Sequence, residues 1–343
     1  MFSGVSKHLL SFVSARHAFT AVTRLFFGRV GAILMFHEVQ EDPDGELRTG
    51  CTPEFLDGFI RELLARGWDI VSLNEALRRL DYGTDRRFVV LTFDDGYRDT
   101  YDLARVVLEK YSVPFTVYVP TGSITRELDG WWLGLREIFR SHDVVSIDGL
   151  ERRFSCSTLP SKVAALRQTC AWVARDFSAL PILRDSFRRY HICMERLVDR
   201  YFLDSDSLKA LARGPLVTIG GHTSTHQPLS LLSESEMHRE LRENRAFLER
   251  LLDLKISHLA YPYGTVQACG EREFAASSSL GFISSVTTEK HNLDQRAIGF
   301  HRLPRLEVTG ANWATLCAHM DHAERLSPRS RTKPKRPEAT ALL

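Results

Sequence analysis

Short runs of apolar, β-favouring residues recur along the chain, separated by amphipathic segments. Val30–Phe36, Val89–Phe93, Pro114–Pro120 and Leu216–Gly221 are apolar runs broken by at most one threonine, which predicts strands buried on both faces. Thr52–Arg66 reads as a helix. Thr52 can cap it, Pro53 fits its first turn, and Phe55, Phe59, Leu63 and Leu64 form one stripe. Further helices are expected over Tyr97–Tyr111, Ser233–Leu252, Phe274–Leu280 and Trp313–Met320, with short strands near Ile70–Leu73, Ser257–Ala260 and Gly281–Val286. Strands alternating with helices predict βα units and a parallel sheet. Polar groups gather at the C-terminal ends of the strands, where barrel enzymes build their sites. Between Gly122 and Gly214 the rhythm breaks. Helical spacing of Leu166, Trp172, Val173, Phe187 and Leu197 predicts a mostly helical insertion over about 123–214. Its Trp131–Trp132 pair would anchor it to the core or stack on a sugar ring.

Composition changes this picture little. An apolar content of 43% and a net charge of +2 suit one large globular domain, expected over residues 30–322. The excess base sits mostly in Arg329–Arg336, within a tail (323–343) that reads as a disordered, solvated end rather than a nucleic-acid contact. Residues 1–29 carry an amphipathic pattern that allows peripheral contact with a membrane but no secretory leader, and no apolar run reaches spanning length. Cys51, Cys156, Cys170, Cys193, Cys269 and Cys317 form no CxxC pair and no disulfide framework. Reduced thiols in a cytoplasmic protein, at most peripheral at the inner membrane, are the expectation.

The candidate chemistry begins at Val89–Phe93, which ends in Asp94-Asp95-Gly96. Two acids at the end of a buried strand need a cation, a metal or a proton to offset them. His222 and His226 stand four residues apart, a spacing that lets both imidazoles face one ion. Two imidazoles and one carboxylate would leave open positions on zinc, as hydrolysis needs. His37 ends a second buried strand, and Pro262-Tyr263-Gly264 forms a tight turn.

Thr92-Phe93-Asp94-Asp95-Gly96, His222-Thr223-Ser224-Thr225-His226 and Pro262-Tyr263-Gly264 together resemble the polysaccharide deacetylases of carbohydrate esterase family 4, the NodB-homology domain. The resemblance spans about 30–310 outside the insertion and implies an irregular (β/α) barrel. It implies Asp94 as general base, Asp95, His222 and His226 as ligands of a divalent metal, most often Zn2+, and the N–H of Tyr263 as a donor to the oxyanion. The implied reaction removes N-acetyl groups from an N-acetylglucosamine-containing glycan of the chitooligosaccharide type and releases acetate.

Two family features are missing at their usual places. Ala260 and Tyr261 stand where an arginine normally precedes the Pro-Tyr-Gly turn, and Arg305, or else Arg302, is the candidate replacement. The late Leu-x-His motif that supplies the acid is absent. His37, on a strand resembling that of circularly shuffled relatives, is the candidate acid, with His301 its competitor. Two other readings compete with N-deacetylation: a degenerate glycan binder, and a deacylase of O-acetyl or non-sugar amide substrates.

Overall fold

The computed structural model describes residues 31–312 apart from 43–46, 49, 83, 85, 294–298 and 311. The expected N-terminal segment, the helix at 313–320 and the basic tail lie outside the described residues. Eight parallel strands form one sheet: β1 (Gly31–Phe36), β2 (Asp69–Ile70), β3 (Phe88–Phe93), β4 (Phe115–Val119), β5 (Val217–Gly221), β6 (His258–Ala260), β7 (Ser284–Val286) and β8 (Leu306–Glu307). Their order is β7-β6-β5-β4-β3-β1-β8, with β2 against the first two residues of β3. The sheet curls into an irregular (β/α) barrel, and its two edges meet at the last strand. Leu303 bridges Val286 of β7 on one side, while Leu306 and Glu307 pair with Leu34 and Met35 of β1 on the other. Arg305 therefore sits at the seam.

Burial on both faces explains the apolar runs. Ala32, Leu34 and Phe36 of β1 and Val89, Leu91 and Phe93 of β3 pack beneath the outer helices. The alternate positions Ile33 and Val90 join Tyr118, Ala260, Val286 and Leu303 in a second, inner cluster. Fully burying a side chain of this kind stabilises the fold by ~1.5–3 kcal/mol. Helix α1 (Pro53–Ala65) is capped as its sequence suggests, with the Phe55 N–H donating to Thr52 Oγ1 at 3.1 Å. Its buried face is Leu56, Phe59, Ile60 and Leu63; Leu64, which the sequence stripe included, is exposed. The helix expected over Tyr97–Tyr111 opens with a π-helical turn, Thr100–Ala104, before α-geometry at Arg105–Lys110. The expected strand at Ile70–Leu73 is only Asp69–Ile70, because Leu73 already begins a helix.

Residues 131–201 form a layer with its own core. Helices Trp131–Ser141, Leu159–Arg175 and Leu180–Arg189 enclose Leu135, Ile138, Phe139, Val173 and Leu183. An antiparallel hairpin, Val144–Ser146 with Arg153–Ser155, adds Val145 and Phe154 to the same cluster. The following helix, Ser205–Ala212, instead packs Leu208 and Leu211 into the barrel's outer core. Among the described residues no helix is long and apolar enough to cross a membrane.

Candidate active site

The register of the sheet assembles the site at the C-terminal ends of the strands. Phe36 of β1 pairs with Phe93 of β3, so His37 and Asp94 leave the sheet side by side. The Asp94 N–H donates to the Phe36 carbonyl at 3.0 Å. His222 follows Gly221, the last residue of β5, and the Tyr263 turn follows β6. Asp94 and Asp95 would point apart on a straight strand. Asp95 (φ +68°) and Gly96 (φ +67°) are both left-handed and turn the chain instead. Thr223 (φ +62°), His226 (φ +61°) and Tyr263 (φ +62°) share that conformation. A side chain held there costs of order 1–3 kcal/mol and persists only where its surroundings impose it.

Asp95 Oδ1 lies 3.2 Å from His222 Nε2 and 3.3 Å from His226 Nε2. The three residues are buried, and their donor atoms fall within 4.8 Å of one another. Tetrahedral zinc with bonds of ~2.0–2.1 Å would hold its ligand atoms about 3.3 Å apart. His222 Nδ1 is 2.7 Å from the Ala260 carbonyl, which fixes the proton on that nitrogen and turns the Nε2 lone pair toward Asp95. Burial lowers the His226 pKa and favours the neutral imidazole that ligation requires. Burial would raise Asp95, but hydrogen bonding to the two histidines outweighs it and holds the carboxyl well below its ordinary range. The donor set and its spacing fit a divalent metal.

Asp94 is not part of that triad. Arg305 grips it with a two-pronged contact, Nη1 to Oδ1 and Nη2 to Oδ2, each 2.6 Å. The guanidinium is itself buried and further anchored: Nε donates to the Thr287 carbonyl at 2.9 Å and Nη1 also to Thr92 Oγ1 at 3.2 Å. Burial pushes the Asp94 pKa up. The charge and hydrogen bonds of Arg305 outweigh that, aided by His222 and His37, and hold it below the ordinary value. Arg302 is elsewhere, paired with Glu289 and Glu271. His37 is half-buried and close enough to Asp94 and Asp95 to contribute to the lowering of both. His301 instead has Nδ1 3.4 Å from Ser277 Oγ.

Sequence reasoning missed the supports of the histidine loop. Glu240, on the helix Glu234–Leu252, accepts the N–H of Ser224 and of Thr225, both at 2.8 Å, and the Thr225 hydroxyl at 2.9 Å. One turn on, Asn244 Nδ2 donates to the carbonyls of Val119 and Thr223. No local signal marks Glu240, since glutamate on a helix ordinarily faces water. Glu240→Ala leaves three donors without partners, at ~1–3 kcal/mol for a buried group. Such outer supports hold metal ligands in place, so we expect metal affinity to fall ~10–100-fold. Zinc titration of the variant beside the parent checks this.

The layer at 131–201 supplies one wall. Trp131 Nε1 donates to the Tyr263 hydroxyl and Trp132 Nε1 to the Tyr97 hydroxyl, both at 2.8 Å. The rings of Trp132 and Tyr263 lie 5.1 and 5.0 Å from that of His226. Among the described residues the Tyr263 N–H makes no hydrogen bond.

A family model described as polysaccharide deacetylase matches residues 81–148 and 172–280, just over half of the chain. The match includes Asp94, Asp95, His222, His226 and Tyr263, whereas His37 and Arg305 lie outside it. A search of curated proteins finds no match. Among solved structures, the deacetylase PplD of Streptococcus pyogenes in complex with acetate has a TM-score of 0.58 at 17% identity, over 85% of this chain and 99% of that one. IcaB from Ammonifex degensii gives 0.56 at 18%, over 86% and 98%. The BpsB deacetylase domain from Bordetella bronchiseptica gives 0.53 at 13%, over 82% and 97%. At these identities the likeness is one of fold.

Proposed function

The chain belongs to the polysaccharide deacetylase family, and from that premise we propose that it is a metal-dependent hydrolase removing N-acetyl groups from an N-acetylglucosamine-containing glycan. One observation carries the reading. Beside a buried carboxylate–imidazole–imidazole triad stands a second carboxylate, Asp94, outside the triad and locked by Arg305. Asp95, His222 and His226 would hold the ion. When bound, a divalent ion supplies Lewis acidity toward the amide carbonyl and lowers the pKa of water.

The remaining steps belong to the chain's own side chains. Asp94, kept ionised by Arg305, takes a proton from the attacking water. The Tyr263 N–H is a free donor for the carbonyl oxygen as it gains charge. His37, beside Asp94 at the end of β1, delivers a proton to the departing nitrogen, because an amide anion leaves poorly. The products are acetate and a free amino sugar. A merely binding relative was suggested by the missing arginine before Tyr261. The Arg305–Asp94 contact removes that ground.

The test is acetate release from N-acetylglucosamine oligomers by the purified protein. We expect turnover that a chelator abolishes and added Zn2+ restores. Turnover insensitive to metal removal, or acetate released only from O-acetylated sugars, would overturn the reading.

A further inference from the structure

Beyond the triad, a cavity of about 180 Å³ opens between the barrel and the layer at 131–201. Its wall includes Trp132, whose ring centroid lies 5.1 Å from that of His226, and Glu38, the residue after His37. Trp132 is thus shared between the cavity and the surroundings of the triad. Aliphatic side chains of the helix Leu159–Arg175 supply much of the rest of the lining.

Among the described residues the cavity wall carries more positive charge than negative. Glu38 accepts Arg48 Nε at 2.5 Å and Arg136 Nη1 at 2.9 and 3.1 Å. One carboxylate thus serves two guanidinium groups, and a third, the exposed Arg167, also lines the cavity. Asp99 accepts Arg48 Nη2 at 2.9 Å, but burial pushes its pKa up to about 8, so it cancels little charge near neutrality. Arg136 is 95% buried, a figure that matters because its Nη2 has no hydrogen-bond partner. A buried guanidinium nitrogen left unpaired is costly. Nη2 is itself closed to solvent, so a ligand's acceptor reaches it only as the wall shifts on binding, and pairing there would remove that cost.

We propose that this cavity is a subsite for an oxyanion substituent of the glycan, a carboxylate or a phosphate ester carried next to the acetylated amino sugar and received by Arg136, Arg48 and Arg167. The subsite deepens the deacetylase reading and rests on it. A neutral polymer offers Arg136 only hydroxyl and amide oxygens, whereas an acidic sugar brings a planar or tetrahedral anion matched to a guanidinium fork. The sugar body would lie against the aromatic face of Trp132.

Three probes test this: N,N′-diacetylchitobiose, N-acetylglucosaminyl-glucuronic acid and N-acetylglucosamine 1-phosphate. Each is measured for acetate release and, separately, for equilibrium binding by calorimetry. At least one anionic probe should bind and turn over with a Kd and KM tenfold or more below those of the neutral disaccharide. Which one does so separates carboxylate from phosphate. Arg136→Gln and the exposed Arg167→Gln should each shrink the anionic-to-neutral ratio, and the second holds no structural contact that folding depends on. Equal Kd for all three probes on the parent protein would overturn the subsite, whatever the variants do. Acetate release from the neutral sugar without anionic preference would sink the subsite and spare the deacetylase reading. Selective anion binding without acetate release from any probe would do the reverse.

Discussion

Asp94→Asn lowers kcat for acetate release by about 10²–10⁴-fold, the range that a positioned general base contributes. Metal content stays that of the parent, because Asp94 is not among the triad whose donors cluster around Asp95. The pairing of those two results is what makes the test sharp. A ligand lost would take metal with it, whereas a base lost takes only turnover. The amide also turns an N–H toward a guanidinium N–H, so the variant melts earlier than the parent. Metal analysis, acetate assay and thermal denaturation on one preparation decide the matter. Undiminished turnover in the Asn variant would remove Asp94 from the reaction.

The second large effect belongs to Arg305→Met. The side chain is fully buried and its fork is the only guanidinium on Asp94 among the described residues. Breaking a buried pair by removing one partner costs ~3–5 kcal/mol, since a charge is left without compensation. The pH dependence follows from the direction of the shift. In the parent, Arg305 holds Asp94 below its unfolded value, so the pair's stabilisation is complete above that value and fades as pH falls through the folded pKa. Without Arg305, burial is opposed only by the weaker influence of His222 and His37, and the Asp94 pKa rises. The acid limb of kcat/KM then moves to higher pH, and denaturant titrations show the largest deficit at neutral pH. An acid limb that stays put would mean that Arg305 does not set the ionisation of the base.

What the sequence disclosed depended on distance along the chain. The strands were legible because Val89–Phe93 and its like are apolar runs broken by at most one threonine, a pattern that two-sided burial favours. Asp94, Asp95, His222 and His226 were legible because each pair sits within a short motif. Arg305 was a guess between two arginines, for nothing local tells which of 302 and 305 turns inward; the seam position of 305 decides it. His37 owes its place to the pairing of Phe36 with Phe93, which no single segment encodes. The clamp of Glu38 on Arg48 and Arg136 joins the segment after β1 to an insertion helix, and Glu240 reads as a solvated helix residue. Both are products of tertiary packing alone. Trp131 and Trp132 could be weighed only as anchor or platform, and their indole N–H groups bind tyrosines of the barrel.

The seam has one consequence for how the molecule comes into being. A chain still emerging from the ribosome can order its first strands well before residue 305 is made, yet at that stage the inner aspartate has no cation to meet. The site around Asp94 therefore stays incomplete until the strand that follows Arg305 closes the seam.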